Sequence, residues 1–163
     1  MWFDHLLIEE FTKMHTRTFF ASVGLVAALV LTACGGSSGG GNAGASAAPL
    51  AVAADATGQL AFQQKTLSAA ANQAFTVQFS NPAPLQHNWV LVQPGQEQAV
   101  ADAAGAKGGD PTGVAGVIAG GAVLNSNGNE PINVPATPAG TYTYICTVPG
   151  HYAAGMAGKL TIQ

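Results

Sequence analysis

From Ala74 to Ser80 the chain reads AFTVQFS, with Phe75, Val77 and Phe79 alternating against Thr76, Gln78 and Ser80. A period of two is that of a strand with one buried face. His87 to Val92 reads HNWVLV between Pro82/Pro84 and Pro94-Gly95, an unbroken β-branched and aromatic run that predicts a buried strand. Alternation returns in Gly140 to Cys146, where Tyr142, Tyr144 and Cys146 share a face, and in Lys159 to Gln163, where Leu160 and Ile162 do. Weaker strand patterns fall at Leu50 to Ala53, Leu60 to Gln64, Ala122 to Asn125 and Ile132 to Val134. Only Gln96 to Ala104 suits a short helix, with Gly105 and Gly108-Gly109 to stop it. Short strands joined by Gly/Pro turns predict an all-β fold, a Greek-key β-sandwich with one short helix.

Composition supports that class. Thr, Val, Gly and Pro are common, whereas only 8% of residues are charged. The net charge of -3 and the lack of a basic run argue against nucleic-acid binding. Lys65, Lys107 and Lys159 read as ordinary solvated charges.

The amino-terminal third has a different character. Phe19 to Leu31 is apolar, follows Lys13 and Arg17, and is short for a membrane span but suited to a signal-peptide core. It runs into Leu31-Thr32-Ala33-Cys34, which resembles the lipobox of bacterial lipoproteins. That resemblance implies cleavage before Cys34 and a diacylglyceryl group on its sulfur. Residues 1–33 are therefore expected to be a leader. Asp4, Glu9 and Glu10 make its beginning acidic, and a start at Met14 would give the more usual basic MHTRTFF. Residues 34–49 form a Gly/Ser/Ala tether and 50–163 the folded domain. The expected location is extracytoplasmic, anchored to a membrane rather than spanning it.

Beyond the leader the chain has two histidines, His87 and His151, one methionine, Met156, and one cysteine besides Cys34, Cys146. Three of these four lie in the stretch CTVPGHYAAGM, spaced Cys-x4-His-x4-Met. Two imidazoles, a thiolate and a weak thioether are the donors of a mononuclear blue copper site. The thiolate suits Cu(I), the imidazoles accept both oxidation states, and the thioether perturbs the site without closing it. Cys146 would end a strand facing inward, Pro149-Gly150 would turn the chain, and Gly155 would let Met156 approach. His87 would come from a neighbouring strand.

Cys146-Thr147-Val148-Pro149-Gly150-His151 resembles the ligand loop of azurins, and His87-Asn88 their first-ligand dipeptide. The gap between His151 and Met156 is one residue longer than in azurins and is similar to that of auracyanins, azurin-like proteins of filamentous anoxygenic phototrophs. Gln86-His87-Asn88-Trp89-Val90 is similar to auracyanin as well. The resemblance spans about Leu50 to Gln163. It implies a cupredoxin fold, one copper held by His87, Cys146, His151 and Met156, and a monomeric one-electron carrier. Asn88 and Thr147 would tie the two ligand-bearing segments together, and Gln86 stands where azurins approach copper with a backbone carbonyl. The implied partners are a quinol-oxidising membrane complex as donor and a photosynthetic reaction centre or terminal oxidase as acceptor.

The competing readings have fewer residues to work with. A copper oxidase or nitrite reductase needs further histidines, and a binuclear centre needs a second bridging thiolate. A Cys146–His151 hydrolase leaves His87 and Met156 without a role, and structural zinc favours more thiolates and no thioether. A Cys34–Cys146 disulfide would abolish the site. The alternative function is copper storage or delivery by a lipoprotein, with similar ligands but ready metal exchange. Trp89, Tyr142 and Tyr144 read as core, and Tyr152 as part of an exposed rim with Leu85, Pro149 and Ala153.

Overall fold

The computed structural model of the chain describes residues 48–163. The leader, Cys34 and the tether as far as residue 47 lie outside the described residues. Two sheets face each other. One has the order β1-β3-β6, from β1 (Leu50–Ala53), β3 (Phe75–Asn81) and β6 (Gly128–Val134). The other has the order β2-β8-β7-β4-β5, from β2 (Thr66–Ala69), β8 (Ala157–Ile162), β7 (Gly140–Ile145), β4 (Val90–Val92) and β5 (Val117–Gly120). β1 runs parallel to β3 and β2 to β8, while the remaining pairs are antiparallel. Chain neighbours β1 and β2 sit in different sheets, as do β3 and β4, the crossing pattern of a Greek-key sandwich.

The alternating pattern becomes the interior. Val77, Phe79, Tyr144, Leu160 and Ile162 all point into one cluster with Trp89, Phe62, Cys146 and Met156. Tyr144 stacks on Trp89 with centroids 5.5 Å apart, and Phe62 meets Tyr144 edge-on at 5.2 Å. Each large apolar side chain removed from water in this way contributes about 1.5–3 kcal/mol. Tyr144 lies over its cross-strand partner Gly158, where an added Cβ would come within 2.2 Å of the ring. The fit therefore requires glycine opposite tyrosine.

The run HNWVLV reflects burial on both faces. Val90, Leu91 and Val92 are all buried: Leu91 faces the main core, and Val90 and Val92 face a second cluster with Ile145 and Val100. α1 (Glu97–Gly105) covers that outer face through Val100 and Ala104. The predicted glycine stop holds, since Gly108 N–H and Gly109 N–H close on the carbonyls of Gly105 and Ala104.

Several strand expectations are corrected. Leu60 to Gln64 is no strand. Phe62 alone bridges to Ala54, while Gln64 turns its side chain back to accept the Ala53 N–H at 2.8 Å. The strand comes just afterwards, as the half-exposed edge β2. Ala122 to Asn125 contributes a single bridge, Leu124 to His87, and the ladder itself is β5, earlier in the chain. The ladder of the HNWVLV run likewise begins only at Val90.

These directions gather the candidate donors at one end of the sandwich. β7 runs toward that end and stops just before Cys146, while its antiparallel neighbours β4 and β8 run away from it, starting just after His87 and Met156.

Candidate metal centre

His87 sits in the extended segment leading into β4. It exchanges backbone hydrogen bonds with Leu124, accepting at 2.8 Å and donating at 3.2 Å. Cys146 follows β7, its N–H donating to Met156 O at 3.1 Å. Between them the chain makes consecutive turns: His151 N–H bonds Val148 O, Gly155 N–H bonds Tyr152 O, and Met156 N–H bonds His151 O. Gly150 and Gly155 have φ of 83° and 95°, which a side chain would strain. The Met156 carbonyl on Cys146 and its amide on His151 close the loop on itself.

The donors converge. Cys146 Sγ lies 3.8 Å from His87 Nδ1 and 3.4 Å from His151 Nδ1, and the two Nδ1 atoms are 3.1 Å apart. Imidazole and thiolate bonds of about 2.0–2.3 Å to a first-row cation place donors sharing one ion about 3–4 Å apart. Met156 is fully buried in the same cluster as Cys146. Each of the four predicted ligand residues therefore stands at this end of the fold.

Electrostatics support the fit. Burial pushes the Cys146 thiol up to about 11, although the N–H groups of Asn88 and Val148 point at its sulfur. Burial, and then the neighbouring His151, bring His87 down to about 4, and burial also lowers His151. The pocket thus holds two neutral imidazoles and a thiol whose surrounding N–H groups favour the thiolate. A bound cation supplies the charge that makes thiolate the stable form. The soft donors among them suit copper.

A buried hydrogen-bond knot joins the two ligand-bearing segments. Asn88 Oδ1 accepts the Thr147 N–H at 2.9 Å, and Asn88 Nδ2 donates to Thr147 Oγ1 at 2.8 Å and to Gly109 O at 2.9 Å. Thr147 Oγ1 donates to the same Gly109 carbonyl at 2.7 Å. Asn88 and Thr147 meet as expected; Gly109 was legible only as a helix stop. It lies at φ 97°, and an added Cβ would stand 3.0 Å from Val123 and 3.2 Å from Val148. Glycine there allows the backbone to press against the ligand loop. Gln86 is exposed and donates its side-chain amide to Asn125 at 2.7 Å.

The two imidazoles differ in access. His87 is fully buried, whereas His151 is partly exposed. Pro149 and Ala153, on the loop with His151, are exposed, and Leu85, two residues ahead of His87, is 48% exposed. Tyr152 departs from the exposed-rim expectation. It is half-buried because its ring packs on the second cluster beneath α1. Lys107 and Lys159 are exposed, as expected of solvated charges. Lys107 lies 3.8 Å from Asp110, and Lys159 donates to Thr143 at 2.9 Å.

A Greek-key sandwich with a Cys, two His and a Met at one end defines a blue copper protein of the cupredoxin class. Residues 49–163 match the family described as copper binding proteins, plastocyanin/azurin family, and the chain belongs to it. It is 39% identical to Auracyanin-A of Chloroflexus aurantiacus over 165 residues, covering 93% of this chain and 99% of that protein. The dithionite-reduced auracyanin of Roseiflexus castenholzii has a similar structure, with TM-score 0.64 and 33% identity over 71% of this chain and 96% of the other. An azurin (Az-iso2) of Methylomonas sp. strain J shares the fold at TM-score 0.63 and 23% identity, over 72% of this chain and 98% of the other.

Proposed function

We propose that the protein is a one-electron carrier in which His87, Cys146, His151 and Met156 hold a single copper. Copper supplies the Cu(I)/Cu(II) couple. The protein's residues supply donors tolerable to both states and keep them in place between the two. One observation carries the reading: His87, Cys146 and Met156 are fully buried while His151 alone reaches the surface. Buried ligands leave a substrate no way to the metal, and an exposed ligand edge gives an electron a short path out. The exposed Leu85, Pro149 and Ala153 beside it form a small apolar rim suited to brief encounters with a redox partner.

The same reading extends to location. A lipid on Cys34 and the Gly/Ser/Ala tether would hold the domain on the extracytoplasmic face of a membrane. The direction of β1 supports this use of the tether. Leu50 pairs with Val77 and Ala53 with Ser80, so the chain enters at the pole opposite His87 and rises toward the copper end. Likeness to auracyanins, one of them described as a blue copper protein from a photosynthetic bacterium, supports a quinol-oxidising complex as donor and a reaction centre or terminal oxidase as acceptor.

Titration with Cu(II) followed by ascorbate tests the proposal. An intense thiolate-to-copper band at about 600 nm that bleaches on reduction is the expected result. A colourless complex that yields its copper to a mild chelator would overturn it in favour of storage or delivery.

A further inference from the structure

His87 reaches the site on a segment that makes only an isolated bridge, and its buried ring has no hydrogen bond to a described residue on the side away from the other donors. Its Nδ1 faces the other donors, and its Nε2 is buried without a hydrogen-bond partner among the described residues. In metal sites the second ring nitrogen is normally the atom whose hydrogen bond orients the imidazole. Here no hydrogen bond at Nε2 orients the ring, so its place rests on packing and on the backbone, which Leu124 holds at His87.

Leu124 is itself held by Asn81, the last residue of β3, in the opposite sheet. Asn81 is fully buried. Its Nδ2 donates to Leu124 O at 2.9 Å and to Leu85 O at 2.8 Å. Its Oδ1 accepts the Ala83 N–H at 3.2 Å, and its carbonyl accepts the Asn127 N–H at 2.6 Å. Leu124 O thus takes two donors, Asn81 Nδ2 and the His87 N–H. Leu85 lies just ahead of His87 in the chain. One carboxamide therefore grips the His87 segment from both sides, through the loop that leads into it and through the residue that bridges it.

We propose that Asn81 is a positioning residue for the His87 ligand, acting through Leu124 and Leu85. The inference rests on the reading of His87 as a copper ligand. It gives Asn81 a role that a residue merely satisfying buried carbonyls would not have: it sets where His87 Nδ1 stands before metal arrives.

Asn81→Ser shortens the side chain and removes the paired amide donors. Val77→Ala, a core truncation on the same strand, serves as the control for lost stability. Both are compared with the wild type for metal-free melting temperature, Cu(II) dissociation constant by competition, and exchange of the His87 amide proton by NMR. Asn81→Ser is expected to weaken Cu(II) binding by about 10–100-fold, the usual cost of losing a partner that orients a ligand. It should also speed His87 amide exchange beyond what its melting temperature explains. Val77→Ala should follow its melting temperature alone. Equal affinities in the two variants at equal loss of stability would overturn the proposal.

The wild-type metal-free protein gives a reading independent of whether Asn81→Ser folds. Asn81 Nδ2 protons as slow to exchange as the His87 amide support the clamp, and freely exchanging ones refute it. A wild type that binds Cu(II) without the thiolate band would instead refute the copper reading, a separate failure.

Discussion

The copper end is built from two unlike halves. The Cys146–Met156 loop is continuous, turns on Gly150 and Gly155, and leaves His151 partly exposed. The His87 cradle is assembled from three separate stretches of the chain, Asn81 to Asn88, Gly109 and Leu124, and leaves His87 fully buried. The loop contributes most of the donors and the one partly exposed ligand, His151. The cradle contributes a fixed point fastened to both sheets. A carrier needs both, because ligands that move between oxidation states slow transfer and ligands that are all buried hide the metal.

Substitutions can separate the halves. Cys146→Ser should have the largest effect, removing the charge-transfer band altogether while the sandwich still folds, as read by absorbance and circular dichroism. A persisting band would place the thiolate elsewhere. Thr147→Val removes the hydroxyl from the joint between loop and cradle and leaves only the Thr147 N–H on Asn88 Oδ1. It leaves Asn88 Nδ2 and Gly109 O short of a partner, a cost of about 1–3 kcal/mol for a buried polar group. Copper affinity should fall about 10–100-fold in a competition assay, and an unchanged affinity would show that the hydroxyl plays no part in holding the ligands.

Smaller changes sharpen the contrast in access. Leu85→Glu puts a charge on the exposed residue that leads into the His87 segment, part of the proposed docking rim, and should slow exchange with a protein partner several-fold in stopped-flow while leaving the copper spectrum intact. An unchanged rate would move the docking surface away from this end. On the cradle side, Glu130 points inward over Gly121, accepts the Ala122 N–H, and has a buried oxygen without a partner among the described residues. Burial raises its carboxyl above the ordinary range. Between the unfolded value and the raised folded one, the folded state binds more proton than the unfolded chain, so the favourable contribution is complete below the unfolded value and lost as pH rises through the folded one. Glu130→Gln should raise the metal-free melting temperature slightly at pH 7 and leave it unchanged near pH 3. An equal shift at both would assign the effect to packing.

The two halves also differed in how far they could be read from sequence. The ligand loop was legible because Cys146, His151 and Met156 lie in one short stretch whose spacing and glycines are themselves the geometry. Asn88 and Thr147 were legible through resemblance to azurins. Gly109 and Asn81 were not. A glycine after a helix reads as a stop, and an asparagine after a strand reads as a turn; neither pattern reveals which distant carbonyl or loop it will touch. Strands followed the same division. Alternation located β3, β7 and β8, where one face is buried. It missed the short strands β2 and β5, which at four residues each are too short to show a period.

The measurement that goes most directly to the central claim is voltammetry of the copper-loaded protein in the presence of a Cu(I) chelator. A reversible one-electron wave that keeps its amplitude through repeated cycles is the predicted result, since buried ligands fixed by both sheets should hold Cu(I) as well as Cu(II). A wave that decays as the chelator collects copper after each reduction would contradict the account and make the protein one that hands over metal rather than electrons.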